Sequence, residues 1–214
     1  MGAFQNIGMD GYLKRYGLKN GLKRGIFMAN PIHRVLDYEN KKILYYHKAM
    51  KYLKKHYTQF AQEAVEKIEY GMCEFTNPVW VYWKQGIENA PEIVQKCIAS
   101  VEAYSTCPVI RLDEKSAKNY VRLPQDIIDK YEMGGMSDAA LSDLIRFSLL
   151  EHFGGTWIDA TVLLTGELPA YIVESDFFAF QDVFGLMENP ALISNWLLHS
   201  KPHNNIIKET QNMA

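Results

Sequence analysis

The chain reads Ser142-Asp143-Leu144-Ile145-Arg146 and then Gly154-Gly155-Thr156-Trp157-Ile158-Asp159, and these two segments decide the fold class. Residues 138–152 predict a helix, because Ser137 is a good N-cap and an acidic residue in the first turn suits the helix dipole. The two glycines end this helix, since glycine readily adopts the left-handed conformation. The apolar residues that follow predict a strand, which residues 162–164 extend as an apolar run.

Three charged side chains are expected to meet at one end of this helix and strand. At about 1.5 Å per helical residue, Arg146 lies roughly 10 Å back from Phe153. At about 3.3 Å per strand residue, Asp159 lies roughly 10 Å forward of Thr156. If the strand doubles back along the helix, the two charges lie at one level, and Asp143 shares the helical face of Arg146.

Two interpretations of these charges remain open. A structural ion pair between Asp143 and Arg146 is the first, since such pairs are common. A binding site is the second, because the helix is apolar nearly all round and buried charges are costly unless they are paired or used. The position of Asp159 favours a site, since ligands of open α/β sheets lie at the carboxyl ends of strands.

Four blocks of sequence carry a resemblance to a known family. They are Pro78-Val79-Trp80-Val81-Tyr82-Trp83-Lys84-Gln85-Gly86, Ala90-Pro91-Glu92-Ile93-Val94, and the two segments quoted above, the second extended to Thr161. In order and spacing they resemble the bacterial capsular polysaccharide synthesis proteins, relatives of the family 32 glycosyltransferases that carry a sugar-binding region with a DXD motif. The resemblance implies an α/β fold with a GT-A-like, Rossmann-like nucleotide-sugar-binding domain and a mostly helical N-terminal segment.

The same resemblance implies a role for individual residues. Trp80 or Trp83 would contact the nucleotide base. Asp143 and Arg146 would bind hydroxyl groups of the donor sugar. Asp159 would face the ribose and the sugar as the first DXD aspartate, which makes Asp159 and Arg146 the candidate catalytic residues.

Outside the four blocks, a weaker match lies at Ile193-Ser194-Asn195-Trp196. By the same analogy, Asn195 and Trp196 would contact the acceptor or the donor phosphate. A core position is the alternative for Trp196.

The implied cofactor is a divalent cation, Mn²⁺ or Mg²⁺. The second DXD aspartate normally binds the metal, but Thr161 occupies that position here. A hydroxyl is a poor sole ligand for a hard cation, so the candidate metal ligands are Asp159, the donor diphosphate and, less favourably, Thr161. The capsular branch tends to show this form, so the threonine does not indicate a dead site.

The implied activity is glycosyl transfer from a nucleotide-sugar donor to a growing surface or capsular glycan. Charge develops on the leaving diphosphate and on the anomeric carbon, so catalysis needs positioned donors and clamps for the sugar hydroxyls. Family 32 kinship implies a hexosyltransferase that retains anomeric configuration, and no nucleophile can be named. The alternative is a non-catalytic homologue that binds a sugar nucleotide or a partner in the same polysaccharide assembly system.

Charge is spread unevenly along the chain. Residues 1–60 hold 12 of the 23 Lys and Arg residues but only 3 of the 25 Asp and Glu residues. This predicts a basic, mostly helical segment over residues 1–70, and the family resemblance implies that the GT-A-like domain occupies residues 71–214. The basic helix expected at residues 37–67 suits an anionic membrane surface near a lipid-linked acceptor, with packing on the domain as the alternative. No nucleic-acid motif accompanies the charge, so no nucleic-acid partner is expected.

Composition limits the remaining classes. An apolar share of 48% supports a packed core. The three cysteines show no metal or disulfide spacing, and no signal peptide or long apolar run is visible. These features favour a cytoplasmic location, with peripheral contact to the inner face of the membrane. The pattern after Asn204 reads as a helix without a closing signal, so we expect the domain to be incomplete at its C-terminus.

Overall fold

The computed structural model describes residues 68–181 and 193–213, with isolated positions between residues 17 and 55. The chain divides into two compact units, Met1–Phe60 with Pro124–Leu141, and Ala61–Leu123 with Ser142–Ala214. The basic helix expected at residues 37–67 lies almost wholly outside the described residues. The division at residue 70 therefore stays a prediction.

The described part of the chain contains both strands and helices. They are β1 (Glu69–Tyr70), β2 (Val79–Tyr82), α1 (Glu92–Tyr104), β3 (Val109–Leu112), β4 (Val121–Arg122), α2 (Gln125–Glu132), α3 (Asp138–His152), β5 (Gly155–Ile158), α4 (Ala170–Val173), β6 (Phe177–Gln181), β7 (Ile193–Ser200) and α5 (Asn205–Met213). Among them, no helix has the length and apolar character needed to cross a bilayer.

A five-stranded mixed sheet forms the centre of the second unit, in the order β3-β2-β5-β7-β6. Strand β2 runs parallel to both β3 and β5. Strand β7 runs antiparallel to β5 and to β6. Strands β1 and β4 form a separate antiparallel pair. This arrangement confirms the α/β class, with a parallel half and an antiparallel half in one sheet.

Apolar residues cover both faces of the sheet. On one face, Val79 and Val81 of β2 and Ile158 of β5 pack with the buried side of α1, which is formed by Val94, Ile98 and Val101. Trp80 and Trp157 alternate with these residues along the same strands, so they point to the other face. Both tryptophans are almost completely buried. The same alternation sets the face of the sheet to which the residues at the end of each strand point, including the residues of the site.

Most of the predicted elements near the site are confirmed. Helix α3 has the predicted bounds, and the Ala140 backbone N–H donates to Ser137 Oγ at 3.2 Å. Gly154 and Gly155 have φ values of 67° and 96°. Strand β5 ends at Ile158, directly before Asp159. The apolar run at residues 162–164 lies outside the strand, because the chain turns after β5 and the Val162 N–H donates to the Asp159 carbonyl at 2.9 Å.

Candidate functional site

Two carboxylates bracket one buried guanidinium where the parallel strands end. Arg146 Nη1 lies 3.1 Å from Asp143 Oδ1, and Arg146 Nη2 lies 2.8 Å from Asp159 Oδ1. Asp143 and Arg146 lie one turn apart on α3, and Asp159 follows directly after β5. The three charges therefore meet as the helix and strand lengths predicted.

Arg146 lies beneath the two acids and is only 4% exposed. Its Nη1 donates to the Asn195 carbonyl oxygen at 2.7 Å, and its Cζ lies 4.8 Å from the centre of the Trp157 ring. Its Nε is buried with no hydrogen-bond partner in the described part of the chain. A buried, partly unsatisfied guanidinium is costly, so this arrangement is more than a surface ion pair.

The two carboxylates are each held by a second donor. Trp157 Nε1 donates to Asp159 Oδ1 at 2.7 Å, and Asn195 Nδ2 donates to Asp143 Oδ1 at 3.0 Å. For the residues that the structure describes, the hydrogen bonds to these carboxylates and the ion pair of Asp143 with Arg146 all reach Oδ1 atoms. The side chains of Asp143 and Asp159 are 35% and 32% exposed. Among the described residues, their Oδ2 atoms accept no hydrogen bond.

Trp157 is a part of this site that the sequence reasoning missed. Its indole N–H orients Asp159, and its ring lies against the guanidinium of Arg146. A signal for it was present, because residues two apart on a strand point to the same face. Trp157 and Asp159 have that spacing.

Burial and like charge act together on Asp143. Burial raises the pKa of its carboxyl group most strongly, Arg146 opposes that shift, and the neighbouring Asp159 adds to it. Burial also lowers the pKa of Arg146, against the pull of Asp159 and Asp143. Two acids thus share one base, and the ionised form of Asp143 is less favourable than that of a free aspartate. Titratable groups that are perturbed by burial and by a specific charged partner are typical of functional sites.

Of the two tryptophans expected to contact a base, Trp80 has no exposed surface for one. It is 0% exposed, its Nε1 donates to the Gly154 carbonyl at 2.9 Å, and its ring packs against Tyr120 and Phe153. Trp83 is therefore the remaining candidate for the base contact, and it is partly exposed at the end of β2.

Trp196 lies at the surface rather than in the core. It is 38% exposed, and its carbonyl accepts a hydrogen bond from the Asp159 N–H at 2.8 Å. With Asn195, it belongs to the rim of the site. The positions of Asn195 and Trp196 thus agree with their grouping by sequence, while their ligand contacts stay a prediction.

The residues around Asp159 do not form a metal cluster by themselves. Thr161 is exposed two positions beyond Asp159, and the described residues hold no group of three His, Cys, Asp or Glu side chains that fits a metal ion. Asp143 and Asp159 already share the charge of Arg146. The protein side chains therefore supply an incomplete donor set for a divalent cation.

Comparison with known proteins gives a consistent result. A family model described as "Capsular polysaccharide synthesis protein" matches residues 32–214. The protein named "Glycosyltransferase afumC" from Aspergillus fumigatus is 31% identical over 105 residues, which cover 44% of this chain and 27% of that relative's length. A solved structure titled "PaToxG Glycosyltransferase" covers 78% of this chain and 67% of its own at 13% identity, with a TM-score of 0.39. That last similarity is too low to bear on function.

Proposed function

The chain belongs to the capsular polysaccharide synthesis protein family, and from that membership we propose that it is a glycosyltransferase. It transfers a sugar from a nucleotide-sugar donor to a growing surface or capsular glycan, on a domain of GT-A type. One observation carries the proposal: Arg146 holds two carboxylates by their Oδ1 atoms at the carboxyl ends of the parallel strands. That edge is where ligands of α/β sheets bind.

The two carboxylates act as the sugar clamp. Asp143 Oδ2 and Asp159 Oδ2 accept hydrogen bonds from hydroxyl groups of the donor sugar and the ribose. Such charge-assisted hydrogen bonds are stronger than neutral ones, and they orient the anomeric carbon for transfer. Arg146 has too little exposed surface to bind hydroxyls as expected from the sequence, so we assign it a positioning role through the two acids.

The rest of the donor extends from this clamp. In this proposal Trp83, which follows the neighbouring strand β2, contacts the base. A divalent cation would be held by the Asp159 carboxylate, the Thr161 hydroxyl and the diphosphate oxygens, and it would neutralise charge on the leaving diphosphate. The proposal also includes three further parts: Asp159 is the first residue of a DXD-like motif, the chain is related to the family 32 glycosyltransferases, and the transfer retains the anomeric configuration.

A non-catalytic homologue is the second candidate, because Thr161 stands where a metal-binding carboxylate is expected. Hydrolysis of UDP-sugars with and without Mn²⁺ separates the two candidates. Release of UDP supports the transferase. Donor binding without turnover of any nucleotide sugar, in either condition, supports the binding protein.

Asp143→Asn is expected to weaken donor binding while leaving the fold intact. Losing a hydrogen bond to a charged acceptor costs about 1.5–3 kcal/mol, or roughly 10- to 100-fold in affinity. Thermal shift with a panel of UDP- and GDP-sugars measures this, since ligands that bind the native state raise its stability. Asp176→Asn is the matched control, because Asp176 is exposed and pairs with Lys201. If the donor raises the melting temperature of both variants equally, Asp143 has only a structural role.

The same variant carries a pH prediction. The folded-state pKa of Asp143 is raised above its ordinary value, so the folded protein binds the proton more tightly than the unfolded chain. The contribution of Asp143 to the free energy of unfolding is therefore fully present below the ordinary pKa of a carboxyl group. It is lost as the pH rises through the raised pKa. Asp143→Asn lacks this loss. Denaturant unfolding at pH 4 and pH 7 should show the variant gaining on wild type at the higher pH, and a gain at the lower pH instead would contradict the assignment.

The basic N-terminal segment supports a proposal about location. We propose peripheral contact with an anionic membrane surface, since residues 1–60 carry a large excess of Lys and Arg and acidic lipids attract such segments. The full chain should sediment with phosphatidylglycerol vesicles at low salt, and less at high salt because salt screens exposed charges. Equal sedimentation with neutral phosphatidylcholine vesicles would overturn it.

A further inference from the structure

An exposed pair of aromatic rings lies at the rim of the site and has no role in the clamp. Phe180 of β6 and Trp196 of β7 are stacked, with ring centroids 4.9 Å apart and planes inclined by 10°. They are 37% and 38% exposed. We call these two residues the aromatic pair.

The aromatic pair is continuous with the clamp. The Trp196 carbonyl accepts a hydrogen bond from the Asp159 N–H at 2.8 Å. The preceding residue, Asn195, donates to Asp143 Oδ1 at 3.0 Å. The segment of β7 that carries Trp196 is therefore hydrogen-bonded to both residues of the clamp.

Neighbouring contacts hold the aromatic pair in place. The Phe178 ring meets Phe180 edge to face at 5.0 Å and 87°, and Phe178 itself packs against the core cluster below α1. The backbone of Trp196 is fixed by its hydrogen bond to Asp159. A planar surface that is ordered before the ligand arrives avoids the entropy cost of ordering on binding.

Strand order places the aromatic pair on the acceptor side of the donor. The sheet runs β3-β2-β5-β7-β6. The proposed base contact is at the end of β2 and the sugar clamp follows β5, so the donor extends from β2 toward β5. Strands β7 and β6 come next in line, beyond the donor sugar. This step rests on the proposed function, since it takes the donor position from it.

We propose that the aromatic pair binds a pyranose ring of the acceptor glycan. One face of a pyranose presents several C–H groups, whose positive edges match the negative face of an aromatic ring. The hydroxyl groups point outward from that face and keep their water. Exposed apolar surface beside a cleft is typical of binding sites, and a sugar face suits a flat pair of rings better than an aliphatic chain does. The acceptor class is therefore a glycan whose terminal unit offers such a C–H face.

Saturation-transfer NMR with three simple probes tests the proposal. The probes are methyl β-D-glucopyranoside, methyl β-D-galactopyranoside and uridine. Phe180→Ala should weaken binding of at least one glycoside by about 3- to 10-fold, the range expected for one aromatic contact. Phe180→Tyr should retain binding, and Phe180→Leu should not, because leucine is apolar but has no planar face. Tyr104→Ala is the matched control, since Tyr104 is 39% exposed on α1.

Each outcome decides the proposal. Glycoside signals that are absent in wild type, or equal in wild type and Phe180→Ala, overturn it. A Phe180-dependent signal from uridine with none from the glycosides also overturns it, because the rings would then bind a base. Thermal shift with UDP-sugars keeps this separate from the proposed function: glycoside binding that needs Phe180, with no donor binding, leaves the carbohydrate site standing and removes the donor proposal.

Discussion

Replacing Arg146 with methionine is expected to lower the free energy of unfolding by about 3–5 kcal/mol, the range for removing one partner of a buried ion pair. Methionine keeps the apolar stem but leaves Asp143 and Asp159 without their shared cation. Asp159 loses a hydrogen bond from Arg146 at 2.8 Å and Asp143 loses its ion pair with Arg146 at 3.1 Å, and the two carboxylates then repel each other. Denaturant unfolding at neutral pH measures the loss, and donor binding should fail with it.

The repulsion between Asp143 and Asp159 gives this prediction a second readout. Without Arg146, protonation of Asp143 relieves the repulsion, so the stability deficit of Arg146→Met should shrink as the pH is lowered into the carboxyl range. Adding Asp159→Asn should recover part of the loss, because these sites are in contact and their effects are not additive.

A matched arginine on the same sheet supplies the control for this variant. Arg111 is 53% exposed and lies 3.5 Å from Glu102. Arg111→Met should therefore cost less than about 1 kcal/mol. Equal losses for Arg146→Met and Arg111→Met would show that the guanidinium at the site is not structurally coupled to the two acids.

Gly155→Ala is expected to destabilise the protein by roughly 3–5 kcal/mol, from overpacking together with backbone strain. A Cβ at this position would lie 2.1 Å from the Pro78 carbonyl oxygen. The Thr156 N–H donates to that same oxygen at 2.8 Å, so β5 cannot move away from β2 without losing its pairing. Because β5 carries Trp157 and leads into Asp159, donor binding should fall together with stability.

Two other glycines separate the clash from backbone strain. Gly134 has a φ of +72° with no atom within 4 Å of an added Cβ, so Gly134→Ala tests strain alone and should cost about 1 kcal/mol. Gly166 has neither a clash nor a positive φ, so Gly166→Ala should be neutral or slightly stabilising. A Gly155→Ala variant no less stable than Gly134→Ala would contradict the close approach of β5 and Pro78.

Helix α3 and the strand after it were predictable because their signals are local. Ser137 caps the helix, the apolar residues recur at helical spacing, and two glycines end it. The known rise per residue of a helix and of a strand then predicts that Arg146 and Asp159 lie at the same level. The pair β1 and β4 was missed, because strands of two residues carry no pattern.

The side of the site formed by β7 was not predictable from local pattern. Asn195 donates to Asp143, which lies 52 positions earlier, and Asp159 donates to the carbonyl of Trp196. Both contacts depend on the antiparallel pairing of β5 with β7. The partners of a strand are chosen by the whole sheet rather than by the strand's own residues.

The sequence by itself determined the α/β class, the family resemblance and the meeting of Asp143, Arg146 and Asp159, because each depends on periodicity, caps and spacing within a short segment. The tertiary structure alone decided that Arg146 lies under the acids, that Trp80 is buried and that Trp196 stacks on Phe180 at the surface. Those outcomes follow from which strands pair and which face each side chain takes, and both are set by packing between distant parts of the chain.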